Sequence, residues 1–232
     1  MKIGGIQKST LIDYPGKVAA TIFVSGCNFK CPFCHNPELV LPEKIKKHPQ
    51  ISEEKILEFL EERRGFLDGV VICGGEPTIY DDLPDFIEKI QEMEFLIKLD
   101  TNGSRPEILQ QMIELNLLDY VAMDVKAPKK KYKSVVGADI DVEQIEKSIK
   151  LLKKGIIDFE FRTTLVPGLV EKKDVLEIVR WIAPAPKYFL QNFQSQGKIL
   201  DSSFVKTKPF PDEYLEKLKE EIMPHFDVCQ IR

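Results

Sequence analysis

The chain has 232 residues, and 43% of them are hydrophobic, enough to bury a substantial core and to exclude disorder as the dominant state. Thirty-three basic residues against 37 acidic ones leave a formal charge of −4, which argues against bulk electrostatic affinity for nucleic acid or anionic membranes and leaves room only for a local basic patch. No apolar run reaches the roughly 18 residues of a spanning helix, and Met1–Gly5 lacks the apolar stretch of a secretory signal, so the expectation is a soluble, cytoplasmic protein.

Gly5 to Lys17 reads as two short strands around a Pro15-Gly16 turn. Val18 to Val24 is a first buried strand. Ser52 then caps a helix with Glu53 and Glu54 in its first turn and Ile56, Leu57 and Leu60 on one face. Gly69 to Cys73 is a second strand, ended by Gly74-Gly75. Leu83 to Met93 is helical, with Phe86, Ile87 and Ile90 aligned. Phe95 to Leu99 is a third strand, running into Asp100-Thr101-Asn102-Gly103, and Pro106 stands near the start of the next helix. Tyr120 to Met123 is a fourth strand. Asp141 and Gln144 have the spacing of a capping box, and Val142, Ile145, Ile149 and Leu152 follow at helical period before Gly155. Phe159–Val166 and Tyr188–Phe193 are a fifth and a sixth strand, with a helix over Asp174–Ile182 between them. A last helix covers Asp212 to Ile222, and a final strand lies near Val228.

Strands that alternate with helices predict a parallel α/β architecture, met equally by an open doubly wound sheet and by a partial barrel. In both, function gathers at the carboxyl ends of the strands. The polar and glycine-rich segments all follow a strand, where that rule places chemistry.

Three of the five cysteines crowd into Gly26-Cys27-Asn28-Phe29-Lys30-Cys31-Pro32-Phe33-Cys34-His35-Asn36. In a reducing compartment such a C-x3-C-x2-C cluster points to metal rather than to disulfides. Three thiolates leave a cubane iron–sulfur cluster one ligand short, which is useful where a ligand is meant to bind the open iron. Two other readings stand beside it. His35 is available to complete a zinc site, although it adjoins Cys34 and zinc ligands are usually spaced by gaps. Cys73 or Cys229 could supply a fourth thiolate, although both lie in apolar, strand-like contexts that suit a buried small hydrophobe.

The triplet, with Phe33 just before its last cysteine, resembles the radical S-adenosylmethionine (SAM) superfamily. The resemblance implies that Cys27, Cys31 and Cys34 hold a [4Fe–4S] cluster whose fourth iron is chelated by SAM, and that reduction cleaves SAM to methionine and a 5′-deoxyadenosyl radical. Cys73-Gly74-Gly75-Glu76-Pro77 is by itself a glycine turn closing a strand. It also resembles the superfamily's GGE motif, which implies that Gly74, Gly75 and Glu76 receive the cofactor's amino group. Asp100-Thr101-Asn102-Gly103 and Met123-Asp124-Val125-Lys126 resemble paired segments of the glycyl-radical-enzyme activases. By that resemblance Asn102, Asp124, Val125 and Lys126 approach the cofactor, as do Phe33 and His35, and Asp100, Thr101, Asp124 and the Val125 carbonyl enclose a monovalent cation. Arg162, before Val166-Pro167-Gly168, matches a strand-end arginine of the activases. Gln194 stands where the formate-lyase activating enzymes carry a ribose-contacting histidine.

Ser9-Thr10-Leu11-Ile12-Asp13-Tyr14-Pro15-Gly16-Lys17, leading into the cysteine loop, is similar to the anaerobic ribonucleoside-triphosphate reductase activating proteins. The implied fold is a partial (β/α)6 TIM-like barrel in a single radical SAM domain. Residues 1–17 form an N-terminal extension, 18–200 the barrel and 201–232 a C-terminal helix and strand. The implied partners are that reductase or another glycyl-radical enzyme and an external one-electron reductant of flavodoxin or ferredoxin type, with neither nucleic acid nor membrane. A small-molecule substrate, a plain electron-transfer cluster and a zinc protein are the competing functions.

Overall fold

The computed structural model describes residues 1–232. Eight strands form one sheet in chain order: β1 Ile3–Thr10, β2 Ala19–Val24, β3 Gly69–Gly74, β4 Leu96–Thr101, β5 Tyr120–Asp124, β6 Asp158–Leu165, β7 Ala185–Asn192 and β8 Phe226–Ile231. β1 runs antiparallel to β2, and every later pair is parallel. β1 and β8 are the two edges, so the sheet is open. The six barrel strands expected from the sequence are β2 to β7, and the strand near Val228 is β8. No helix is long and apolar enough to cross a membrane.

The helices are α1 Pro37–Val40, α2 Pro42–Ile45, α3 Glu53–Glu61, α4 Leu83–Gln91, α5 Pro106–Glu114, α6 Tyr132–Val136, α7 Val142–Leu152, α8 Lys172–Ile182 and α9 Asp212–Ile222. Alternate strand residues such as Ile22, Ile72, Leu99, Met123 and Phe161 belong to a continuous apolar core that also takes in the buried faces of α3 to α9. Because side chains alternate along a strand, Thr21, Cys73, Lys98, Asp100, Asp124, Glu160, Arg162 and Thr164 fall on the other face. The sheet therefore has one greasy side under helices and one polar side. Tyr14, Ala19, Val71 and Tyr120 form a small apolar cluster of their own on that otherwise polar side.

Local chemistry departs from the sequence expectation in two places. Residues 5–17 hold one strand rather than two: Thr10 Oγ1 accepts from the backbone N–H groups of Ile12 and Asp13, which turns the chain, and the second arm of the hairpin is β2 itself. The Asp141/Gln144 pair is not a reciprocal capping box. Asp141 does cap α7 by accepting from Glu143 N, but the Gln144 amide donates to the Asp141 carboxylate instead of accepting from its backbone. A reciprocal box occurs at Glu171 and Asp174, at the start of α8.

Candidate active site

A cavity of about 290 Å³ opens at the carboxyl ends of the strands. The loop after β2 contributes Cys27, Phe29, Cys31, Phe33, Cys34, His35 and Asn36, and β3 contributes Cys73, Gly74, Gly75 and Glu76. Asp100, Thr101 and Asn102 enter from β4, Asp124 and Lys126 from β5, and Arg162 and Thr164 from β6. Parallel strands all end on the same side, so motifs scattered over nearly 140 positions meet in one place.

The two glycines after β3 are required by close approach. A Cβ on Gly75 would stand 1.9 Å from the Gly26 carbonyl oxygen, and Gly74 has φ +112° with its virtual Cβ 2.5 Å from Val24 N. Such contact with backbone cannot relax cheaply. It lets Glu76 N donate to Gly26 O (2.8 Å) and Gly75 N to Val24 O (2.9 Å), locking the start of the cysteine loop to the end of β3.

The cysteine loop is held from three further sides. Lys30 N donates to Val136 O (2.8 Å), while Leu200 N and Asp201 N donate to Cys34 O and Pro32 O (both 2.9 Å). Phe29 N and Asn36 N point at the sulfurs of Cys27 and Cys34 at 3.4 Å. Burial, aided by the Glu76 charge, pushes the Cys27 thiol well up. Burial pushes Cys31 up to about 11 and raises Cys34 as well.

This donor set fits a polynuclear metal centre: soft sulfur ligands, backbone donors at two of them, and thiols whose ionisation a bound cationic centre would enforce. His35 packs its ring on Phe193 (5.9 Å between centroids).

Glu76 is buried to 1% exposure. Its Oε1 accepts from Thr78 N, Thr78 Oγ1 and Thr101 Oγ1 (2.7 Å for the last), and its Oε2 accepts from Asn102 N at 2.7 Å. Burial raises its pKa although these four donors oppose the shift. The glutamate thus staples the ends of β3 and β4 together. A second clasp joins β4 to the cysteine loop: Asn102 Nδ2 donates to Asn28 Oδ1 (2.9 Å), and Asn28 Nδ2 donates to Ser104 Oγ (2.7 Å).

Below the cysteines lies an ionic cluster. Arg162 donates from Nη1 to Asp100 and from Nε to Asp124, Lys126 donates to Asp124 at 2.9 Å, and Lys98 pairs with Asp100. Burial opposes charge on Asp124, yet Arg162 and Lys126 outweigh it and hold the carboxyl well below the usual range. Burial likewise opposes charge on Lys126, and Asp124 more than compensates, so the ammonium is held firmly protonated.

Of the residues singled out from sequence, the cavity gathers Cys27, Cys31, Cys34, Phe33, His35, Gly74, Gly75, Glu76, Asp100, Thr101, Asn102, Asp124, Lys126 and Arg162. Two lie elsewhere. Gln194, two residues past the end of β7, is exposed and does not line the cavity; Val125 is buried behind it, with its carbonyl accepting from Thr163 Oγ1 at 2.8 Å. The four groups expected to enclose a cation, Asp100, Thr101, Asp124 and Val125 O, each have a protein partner. Both carboxylates are engaged by Arg162 and a lysine each, and Thr101 Oγ1 is committed to Glu76.

Thr164 and Asn28 were given no site role from the sequence. Thr164 was accessible from the strand period, standing two residues beyond Arg162 on the same face. Cys73, expected as a small core hydrophobe or a fourth thiolate, packs against the Tyr14–Tyr120 cluster and also lines the cavity, whereas Cys229 packs against the main core from β8. The Asn28 clasp spans 74 positions to Asn102 and had no local signal.

A family profile described as the Radical SAM superfamily matches residues 21–182. A Methanocaldococcus jannaschii protein is 37% identical over 219 residues, covering 91% of this chain and 87% of its own. A second protein of that organism is 28% identical over 169 residues, covering 70% of this chain and 62% of its own. Both carry provisional names as glycyl-radical enzyme activating enzymes. Among solved structures, Streptococcus suis SuiB bound to S-adenosylmethionine superposes with TM-score 0.67 at 15% identity, covering 89% of this chain and 48% of that one, a likeness of fold.

Proposed function

This chain belongs to the radical SAM superfamily, and on that premise we propose that it is a glycyl-radical-enzyme activating enzyme, with anaerobic ribonucleoside-triphosphate reductase as its target. One observation carries the reading: the three thiols of Cys27, Cys31 and Cys34 open onto the same cavity as Gly74, Gly75, Asn102, Lys126 and Arg162. The names of the two archaeal relatives support the activase class. The Ser9–Lys17 string supports the reductase as target.

In this reading Cys27, Cys31 and Cys34 would hold a [4Fe–4S] cluster, and the strand-end residues lining the same cavity would receive SAM. The bound pair supplies one-electron reductive cleavage of a sulfonium, the source of a carbon-centred radical. The remaining work belongs to the chain. Gly74 and Gly75, having no side chains, leave backbone carbonyls open to an ammonium. Lys126 and Arg162 are permanently cationic and offer charge-assisted hydrogen bonds to a carboxylate. Phe29 and Phe33, both buried, keep water from the cysteines, and His35 and Asn102 border the same space. No acid–base pair is required. We read residues 1–232 as one radical SAM unit.

The test is anaerobic reconstitution with iron and sulfide, then turnover with dithionite and SAM in the presence of reductase carrying deuterated glycine. The expected result is about four irons per chain and deuterium in the 5′-deoxyadenosine. Deuterium arriving only from another glycyl-radical enzyme or from a small molecule would move the target and keep the chemistry. One zinc per chain with no sulfide would end the proposal.

A further inference from the structure

Although the chain carries a net charge of −4, one face is strongly basic. Two shallow depressions meet at Trp181, and the charged residues lining them are Lys129, Lys130, Lys150, Lys153, Lys154 and Arg180 against only Glu146 and Glu177. Glu146 is already shared by Lys129 and Lys150, whereas Lys130, Lys154 and Arg180 are exposed and form no ion pair. The face is built by α7, α8 and the loop entering α6, so it flanks the barrel rather than its mouth.

Trp181 also begins a line of packed rings that leads inward. Its ring meets Tyr132 edge-on with centroids 6.1 Å apart, and Tyr132 meets Phe29 at 6.4 Å and 73°. Tyr132 and Phe29 are buried at 0% and 2% exposure, and the Tyr132 hydroxyl accepts from Lys126 N at 3.2 Å. Phe29 lies between Cys27 and Cys31 and lines the cavity. Such edge-to-face contacts make a dense, rigid connection from the basic surface to the cysteine loop.

We propose that this face is the docking site of an acidic one-electron carrier protein, and that the Trp181–Tyr132–Phe29 stack is the packed medium between the carrier and the centre held by Cys27, Cys31 and Cys34. The proposal rests on the reading of that centre as an electron acceptor. One electron leaves the carrier's reduced flavin or iron–sulfur centre, which is thereby oxidised, and reduces the cysteine-held cluster. No bond forms or breaks, and no ring in the stack changes oxidation state. Redox encounters use small interfaces selected by opposite charge, which is the kind of surface found here.

Trp181 is the only tryptophan in the chain, so its emission reports docking without turnover. The holoenzyme is titrated with a tryptophan-free acidic ferredoxin. The expected result is a saturable change in emission that weakens between 50 and 300 mM salt, roughly in line with Debye screening. In K130E/K154E/R180E the Kd rises about tenfold or more and ferredoxin-driven cluster reduction slows in step, while dithionite-driven reduction is unchanged; K130Q/K154Q/R180Q falls between. The same charge reversals at Lys46, Lys47 and Lys89, outside this face, leave the Kd unaltered. Unchanged Trp181 emission while ferredoxin still reduces the cluster would overturn the site, as would an unaltered Kd in the triple variant. Displacement of ferredoxin by equimolar RNA would assign the face to nucleic acid instead. If dithionite itself fails to reduce a reconstituted cluster, the underlying reading fails, which is a separate outcome.

Discussion

Arg162 holds Asp100 and Asp124 at once, each at 2.8 Å, so one guanidinium ties β4 to β5 from the neighbouring strand β6. The fork geometry makes this possible, since a guanidinium offers donors along two edges and an ammonium does not. All three side chains retain between 12 and 20% exposure.

Replacing Arg162 by glutamine should leave two mostly buried carboxylates that Lys98 and Lys126 compensate only in part. The expected loss is about 3 kcal/mol of unfolding free energy, toward the lower end for breaking a buried ion pair. R162K, which keeps the charge and loses one of the two bonds, should lose about half as much. Urea denaturation of the apoprotein, compared at constant slope, measures both.

The same cluster sets an acid dependence. The Asp124 carboxyl is held well below its ordinary 3.8 by Arg162 and Lys126 despite burial. Its contribution is therefore complete above the ordinary carboxyl value and is lost as pH falls toward the depressed folded value. The stability gap between wild type and D124N should be constant from pH 7 to about pH 5 and shrink below about pH 4. A gap that widened on acidification would contradict the assignment.

Gly75→Ala should fold poorly, because the new Cβ meets the Gly26 carbonyl at 1.9 Å. A cost of about 3 kcal/mol is expected for overpacking against backbone. Gly5→Ala, where the nearest atom is Phe23 Cδ2 at 3.9 Å, should change stability by about 0.5 kcal/mol or less. Thermal unfolding of the two variants side by side separates close approach from a general intolerance of alanine.

Glu76→Gln places an amide among four donors that now face a carboxylate. At least one buried donor loses its acceptor, at a cost of about 2–3 kcal/mol. Amide hydrogen exchange at Asn102 and Thr78 should accelerate in this variant.

Iron content after reconstitution should divide the cysteines. Cys27→Ala, Cys31→Ala and Cys34→Ala should each lose the cluster. Cys73→Ala and Cys229→Ala should keep it, although Cys73 borders the cavity. Equal loss at Cys73 would make it a fourth ligand.

Much of the site was legible because its signals are local. Three cysteines within eight positions and a glycine pair after a strand are visible from spacing alone, whereas their roles, and those of Asp124 and Lys126, follow from the family resemblance. The alternation of short apolar runs with amphipathic stretches was enough to place six strands. Spacing alone did not settle every cap: Asp141 and Gln144 have the spacing of a capping box, yet the glutamine Nε2 donates to the aspartate carboxylate. Gln194, expected at a cofactor-contacting position, is exposed, while its neighbour Phe193 is buried.

By itself, the order of residues determined the parallel α/β class, the crowding of Cys27, Cys31 and Cys34 on one strand-end loop, and the convergence of strand-end motifs on one side. Those follow from side-chain period and short-range spacing. Only the folded chain decided that Glu76 joins the ends of β3 and β4, that Arg162 spans Asp100 and Asp124, and that Trp181 reaches Phe29 through Tyr132. Each of those facts joins residues 25 to more than 100 positions apart, and no propensity couples side chains at such separation. Their partners are chosen when β-sheet register and helix packing bring them within hydrogen-bonding or van der Waals range.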